Sequence, residues 1–114
     1  MSTSSVNLLR GSLDGMILRS LTWQPMHGLG IARWLHEVTE GVVQLEDGSL
    51  YPALYRMENR GWIRSAWRIT ENNRRARYYR LTAAGRRQLA TELANWGTFA
   101  RAVTRVFEFE RSTA

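Results

Sequence analysis

The sequence contains neither cysteine nor lysine, and only two prolines and two histidines occur among its 114 residues. Without cysteine the chain has no disulfide and no thiolate metal site, which fits a cytoplasmic protein. No run approaches the roughly 18 consecutive apolar residues of a membrane helix, and no charged segment followed by an apolar one resembles a secretion leader. We therefore expect a cytoplasmic protein without a membrane span.

The polar residues form no pattern typical of an active site. His27 and His36 are nine positions apart and have no cysteine and no evident carboxylate partner, which is not a metal-site spacing. The glycine patterns of P-loops and of dinucleotide-binding turns are both absent. An acidic run is explained more simply as a solvated face than as acid–base chemistry: Glu37, Glu40, Glu46 and Asp47. We expect no enzyme activity, no metal and no cofactor.

Arginine supplies all sixteen basic residues, against ten acidic residues, and the formal net charge is +6. Ten of these arginines lie between residues 47 and 87. The planar guanidinium group suits phosphate and guanine contacts, but a GC-rich genome explains the exclusive use of arginine better. The local concentration of these groups is the informative feature, because it is typical of a protein that binds a polyphosphate. The length allows one domain with a modest core.

Two helices are predicted in the first third of the chain, at about 6–22 and 28–38, because apolar residues recur there at helical spacing. The core side of the first helix is Leu9, Leu13, Met16, Ile17 and Leu21. The core side of the second is Ile31, Leu35 and Val38. A turn between the two helices is marked by Pro25, His27 and Gly28. Val42, Val43 and Leu45 predict a short strand or an extended bridge to a third helix.

The third helix is the candidate recognition helix. Ser49 is its predicted N-cap, and Pro52 falls at the third helical position, where a missing N–H costs nothing. Gly61 suits the left-handed position just past its end. Its predicted buried stripe is Leu50, Leu54 and Met57. The opposite face offers groups that can reach phosphates or base edges: Ser49, Tyr51, Pro52, Tyr55, Arg56 and Asn59. Alternatively, the tyrosines only pack and Arg56 is merely solvated.

Two aromatic, β-prone runs follow, at 62–69 and 78–81, and predict a hairpin. Its turn, ENNRRAR, carries three arginines that would lie along a phosphate backbone or enter a minor groove: Arg74, Arg75 and Arg77. A generic solvated loop is the alternative. Arg64 and Arg68 share one strand face and either extend the basic surface or cover tryptophan rings with their stems.

A long C-terminal helix is predicted at about 83–109, with Thr82 as its cap. Its apolar residues alternate at spacings of four and three, which is a heptad seam: Leu89, Leu93, Trp96, Ala100, Val103 and Phe107. One small domain offers too little surface to cover this seam, so we predict that a second copy of the chain does so. The alternative is a helix that folds back on its own domain.

Four segments together resemble the PadR-like transcriptional regulators, in particular the short members with a single C-terminal helix. They are LLRGSLDGMIL near the start, HGLGIA at 27–32, GSLYPALYRMENRGWI at 48–63 and RARYYRLTAAGRRQL at 75–89. The resemblance extends from about Asn7 to Phe107, and the order and spacing of the segments make it specific. Arg10 stands where many relatives have proline, and NNRRAR replaces the commoner glycine- and proline-containing wing tip.

The resemblance implies a winged helix-turn-helix regulator, a dimer formed by the C-terminal helix together with helix 1, and repression of transcription. In the resembling multidrug-sensing members, paired tryptophans of the C-terminal helices hold flat aromatic compounds. Trp96 lies in that part of the helix here, and the opposite wall maps to Leu8, Gly11 and Gly15 on helix 1. The two glycines either open a cavity or let the helices close, and Trp96 either binds such an effector or only packs.

We predict a mainly α (α+β) fold, a winged helix-turn-helix with a two-stranded wing and a long C-terminal dimerisation helix. Residues 1–81 would bind DNA and 82–114 would dimerise, as one compact unit. The predicted function is that of a homodimeric transcriptional repressor that binds specific sequences of double-stranded DNA, with a planar aromatic compound as the candidate effector that relieves repression. The alternative is a winged-helix module whose arginines dock an acidic protein.

Overall fold

The computed structural model describes the backbone of residues 5–112 and the side chains of residues 12–112. Four helices and three short strands follow in the order α1 (Ser5–Ser20), β1 (Met26–His27), α2 (Gly28–Val38), α3 (Asp47–Asn59), β2 (Ile63–Ile69), β3 (Arg75–Leu81) and α4 (Ala83–Glu108). This order confirms the predicted α+β winged helix-turn-helix with a long C-terminal helix. No helix in the described part of the chain is long and apolar enough to cross a membrane.

The sheet has three antiparallel strands in the order β1-β3-β2. β2 and β3 form the predicted two-stranded hairpin, called the wing below. β1 was not predicted, because a strand of two residues is too short to show an alternating pattern. Met26 and His27 pair with Tyr79 and Tyr78 where only a turn was expected. His27 also caps α2, since its Nδ1 accepts a hydrogen bond of 2.8 Å from the amide of Gly30.

A single apolar core joins the first three helices to the base of the wing. The predicted stripe of α3 is buried, as are Ile31 and Leu35 of α2. Ile63 and Leu81, directly opposite each other at the base of the hairpin, close this core from the side of the sheet. Val38 was predicted to be buried but is 58% exposed, because it is the last residue of α2, where the chain leaves the core.

The start of α3 differs from the prediction. The helix begins at Asp47, Glu46 is its N-cap, and no side chain caps it. Ser49 therefore lies inside the first turn, where its amide bonds to the carbonyl of Glu46 over 3.0 Å. A carboxylate at Asp47 is favoured there by the helix dipole. Pro52 is then the sixth residue of the helix, three positions further into it than expected. Gly61 does adopt a positive φ, of 77°, as predicted for the turn after α3.

α4 begins as predicted. Thr82 is its N-cap, and the Thr82 hydroxyl accepts a hydrogen bond of 3.0 Å from the amide of Gly85. The helix packs along α1, and Leu89 is buried in the core. From Thr91 onward, no described residue of α4 is buried. More than half of α4 therefore extends beyond the core of its own chain.

Candidate nucleic-acid interface

The exposed face of α3 carries most of the predicted DNA-reading residues. Tyr55 is 72% exposed and Tyr51 is 46% exposed, and Ser49 and Pro52 are exposed beside them. These side chains lie opposite the buried stripe because the helix has 3.6 residues per turn. Tyr51 also touches α2: a Cβ built on Gly28 would lie 2.5 Å from its hydroxyl oxygen. Tyr51 is thus part of the helix-turn-helix packing as well as of the exposed face.

Arg56 was predicted to lie on the same face, but the structure directs it elsewhere. Its Nη2 lies 2.6 Å from Oδ1 of Asp14 on α1, and its side chain is only 26% exposed. Asp14 itself is buried. Burial raises the pKa of the Asp14 carboxyl, and the charge of Arg56 opposes that rise. Arg56 therefore has an intramolecular partner and is less exposed than Ser49, Tyr51, Pro52 and Tyr55 of the same helix.

The tip of the wing turns at Asn73, which has a φ of 59°. The amide of Thr70 donates to the carbonyl of Arg74 over 2.7 Å and closes the loop. Arg74 and Arg75 are exposed at this tip, and no acidic side chain among the described residues forms an ion pair with either. Both guanidinium groups are therefore available to a phosphate.

Arg77, the third arginine predicted for the wing, is tied to the recognition helix. Its Nε donates to Oγ of Ser65 over 2.6 Å, and its Nη2 lies 3.6 Å from Oε1 of Glu58 on α3. The Ser65 hydroxyl in turn donates to Oε2 of Glu58 over 2.6 Å. This chain of contacts fixes the side of the wing against α3, so Arg77 has a structural task in addition to any contact with DNA.

Trp67 lies opposite Arg77 in the wing, and it was not among the predicted site residues. It is 57% exposed, and the guanidinium carbon of Arg75 lies 4.9 Å from its ring centroid. Arg64 and Arg68, which were expected either to extend the basic surface or to cover tryptophans, lie on the opposite face of the sheet. There Arg68 stacks over Tyr78 at 5.1 Å. Strand alternation indicated the two faces, but the partners of each arginine depend on the cross-strand register.

A groove of about 780 Å³ separates the wing from the starts of α2 and α3. Arginines predominate among its charged lining residues, with Glu71 as the acidic exception: Arg33, Arg74, Arg75 and Arg77. Tyr51 and Trp67 line the same groove. The structure therefore brings one exposed tyrosine of α3, the wing arginines and an unpredicted arginine of α2 to one concave basic surface. Arg33 was not among the predicted DNA-binding residues, because the periodicity of α2 indicates its buried side and not the surface that its polar side faces.

The predicted seam of α4 divides into two parts. Leu89 is only 7% exposed and belongs to the core of its own chain. Further along the helix, Leu93 is 54% exposed, Trp96 47% and Phe107 83%, and Ala100 and Val103 are half-buried. The ring of Trp96 lies 5.9 Å from that of Phe99. The part of the seam beyond Leu89 is therefore an apolar surface that the described part of the chain leaves uncovered.

The residues predicted to face Trp96 across an effector site are only partly described. Leu8 and Gly11 lie outside the residues whose side chains the structure describes. Gly15 contacts α4 of the same chain, where a Cβ would lie 3.1 Å from Cβ of Glu92. At Gly15 the glycine thus lets the two helices approach. No group of three potential metal ligands occurs within residues 12–112.

Comparisons with known proteins agree with this fold. A family model described as "Transcriptional regulator PadR-like family" matches residues 17–91. A transcriptional regulator from Clostridium thermocellum superposes with a TM-score of 0.77 at 25% identity, over 87% of this chain and 96% of the other. A PadR-like regulator from Bacillus cereus gives 0.74 at 26% identity, over 91% and 99%. A PadR-family regulator from Eggerthella lenta gives 0.74 at 28% identity, over 92% and 89%.

Proposed function

The chain belongs to the PadR-like family of transcriptional regulators, and we propose that it acts as a homodimeric repressor bound to double-stranded DNA. The observation that best supports DNA binding is the basic groove, where arginines of the wing and of α2 line the same surface as Tyr51 of α3. Arginine-lined concave surfaces attract the phosphate backbone and favour rapid association. Repression follows from occupancy of an operator and requires no chemistry by the protein.

In this proposal α3 enters the major groove, which admits an α-helix. The residues that face the bases or the adjacent phosphates are Ser49, Tyr51, Pro52 and Tyr55. Tyr55 is more exposed than Tyr51, and its hydroxyl can both donate and accept a hydrogen bond. Arg56 is left out of this set because its guanidinium group faces Asp14.

The wing contacts the duplex beside α3. Arg74 and Arg75 reach phosphates or the minor groove, since they are exposed at the tip and minor grooves attract arginine. Arg77 supports the wing through Ser65 and Glu58. The tip thus supplies charge, and the base of the wing fixes the distance between that charge and the recognition helix.

The dimer forms through α4, together with α1. The DNA-binding part ends at residue 81 and the dimerisation helix follows from residue 82, with both packed as one unit. The interface consists of the seam beyond the core residue Leu89: Leu93, Trp96, Ala100, Val103 and Phe107. A second copy would remove this apolar surface from water, at roughly 25 cal/mol for each Å². Two-fold symmetry would then place two recognition helices about one DNA turn apart.

A planar aromatic effector is the proposed signal that releases the DNA. It would bind between the two Trp96 rings of the dimer and the part of α1 that contains Leu8, Gly11 and Gly15. Trp96 is 47% exposed, and an exposed indole can stack on a flat ring. Because α4 packs along α1 in each chain, a ligand at this place would alter the contact between the two helices.

Selection of bound sequences from random duplex DNA tests the proposed function. We expect enrichment of a two-fold symmetric sequence, with an affinity that falls steeply as salt is added. Binding to an acidic protein, without any sequence preference on DNA, would favour the alternative of a protein-interaction module.

The first prediction concerns the recognition helix. Tyr55→Ala should weaken binding to the selected operator by about 1–3 kcal/mol, the range for loss of a base contact, and leave the dimer intact. Trp23→Ala removes another exposed aromatic side chain, 62% exposed, and serves as the matched control with unchanged affinity. Fluorescence anisotropy with labelled operator measures both. An unchanged affinity of a folded Tyr55→Ala protein would place the reading surface elsewhere.

The second prediction concerns the wing. Arg75→Ala should weaken binding to operator and random duplexes alike, and should reduce the slope of log affinity against log salt by about one, as for a lost phosphate contact. Arg101→Ala on the exposed side of α4 removes the same charge and should leave the slope unchanged. A loss of discrimination between sequences would mean that Arg75 reads bases or groove width. No change at all would remove the wing from the interface.

The third prediction concerns Trp96. If Trp96 lines an effector site, Trp96→Ala should abolish binding of flat cationic dyes and change the melting temperature of the dimer little. Calorimetric titration measures dye binding by both proteins, and melting curves measure their stability. Neither signal is confused by the four other tryptophans, as intrinsic fluorescence would be. A Trp96→Ala protein that melts much lower, combined with no dye binding by the wild type, would mean that Trp96 only packs. Loss of such a buried aromatic typically costs about 3–5 kcal/mol.

A further inference from the structure

A buried ion pair connects the first helix with the recognition helix. Nη2 of Arg56 lies 2.6 Å from Oδ1 of Asp14, and the two side chains are 26% and 7% exposed. The residues are 42 positions apart in the sequence. The backbone of α1 lies close along α4 and α2 but has few contacts with α3. The long side chain of Arg56 therefore connects two helices whose backbones have few direct contacts.

The same place on α1 touches α4. Gly15 follows Asp14, and a Cβ at Gly15 would lie 3.1 Å from Cβ of Glu92. Glu92 is itself held by Nε2 of Gln88, which donates to its Oε1 over 2.7 Å. The charges of Glu92 and Arg60 both act on the carboxyl group of Asp14. Three helices thus meet around Asp14 and Gly15: α1 carries both residues, α3 supplies the cation of Asp14, and α4 brings Glu92 against Gly15.

Both partners of this ion pair are largely removed from solvent. Burial raises the pKa of the Asp14 carboxyl, and the charge of Arg56 lowers it. The other terminal nitrogen of Arg56, Nη1, is buried without an acceptor among the described residues. Buried ion pairs often contribute little net stability, and some specify one arrangement of the chain instead. The geometry is that of a fixed link between helices.

We propose that Asp14 is a positioning residue that acts through Arg56 and couples the orientation of the recognition helix to the packing of α1 on α4. This inference rests on the proposed function, because orientation of α3 matters only if α3 reads DNA. Arg56 then contributes to DNA binding without touching the duplex. A movement of α4 against α1 at Gly15 reaches α3 through this link.

Four proteins separate the roles of the two residues: the wild type, Asp14→Asn, Arg56→Gln and the double variant. Glu37→Gln on the exposed side of α2 controls for the lost negative charge, and Arg101→Gln controls for the lost positive charge. Each protein is measured as the full chain, at a temperature where its far-ultraviolet circular dichroism is native. The readouts are affinity for the selected operator, affinity for a random duplex of equal length, and dimer mass by sedimentation.

A positioning role predicts that Asp14→Asn and Arg56→Gln each lower the operator affinity by about tenfold, within the coupling range of one ion-pair network. The double variant should lose no more than either single variant. The random-duplex affinity and the dimer should remain as in the controls. If Arg56→Gln weakens binding while Asp14→Asn leaves it unchanged or tighter, Arg56 touches the DNA itself and the inference fails. If both variants only melt earlier and bind normally when folded, the pair is purely structural.

Hydrogen exchange of the DNA-free proteins provides a second test that does not depend on DNA binding. The link predicts faster exchange in residues 47–59 of Asp14→Asn than of the wild type, with unchanged exchange in 83–108. Equal exchange in α3 would overturn the inference even if the operator were bound as proposed. A third outcome separates the two proposals: α3 exchanges faster in Asp14→Asn than in the wild type, but the wild type shows no sequence preference on DNA. That outcome would retain the mechanical link and reject the proposed function.

Discussion

Burial of one side of α3 determines which side chains of α3 face solvent and how far the arginines of the wing lie from them. Leu50, Leu54 and Met57 are almost completely inaccessible to solvent, so the helix cannot rotate without exposing large apolar side chains, which costs about 1.5–3 kcal/mol for each. Tyr55 is consequently held on the outer side. The wing is fixed to the same core through Ile63 and Leu81, so its arginines keep a defined distance from that outer side.

The arginines of this chain differ in whether a carboxylate of the same chain pairs with them. Arg56 and Arg77 are bound by carboxylates of the chain itself, and they connect α3 to α1 and to the wing respectively. Arg74 and Arg75 extend from the tip without such a partner among the described residues. Net charge therefore describes the attraction to a polyphosphate only in part. The internal pairs determine where the helix and the wing stand, and the tip provides charge that a ligand can use.

The sequence alone predicted α2 to the residue and the cap of α4, because apolar periodicity and a threonine before the helix are local signals. It did not predict β1, whose two residues are defined by pairing with β3. Nor did it predict the partners of Arg56, since Asp14 is 42 positions away and no local pattern joins the two. Trp67 was assigned to a strand, but its place in the groove depends on cross-strand register.

In the proposed complex, two copies of the chain present their recognition helices to successive turns of one duplex. The absence of cysteine allows this spacing to be measured directly, because a spin label on Asn59→Cys, at the exposed end of α3, is the only label in each chain. Double electron–electron resonance on the operator complex should give one distance of roughly 30–40 Å, about one DNA turn. No dipolar coupling, or a distance that cannot match one turn, would contradict this arrangement.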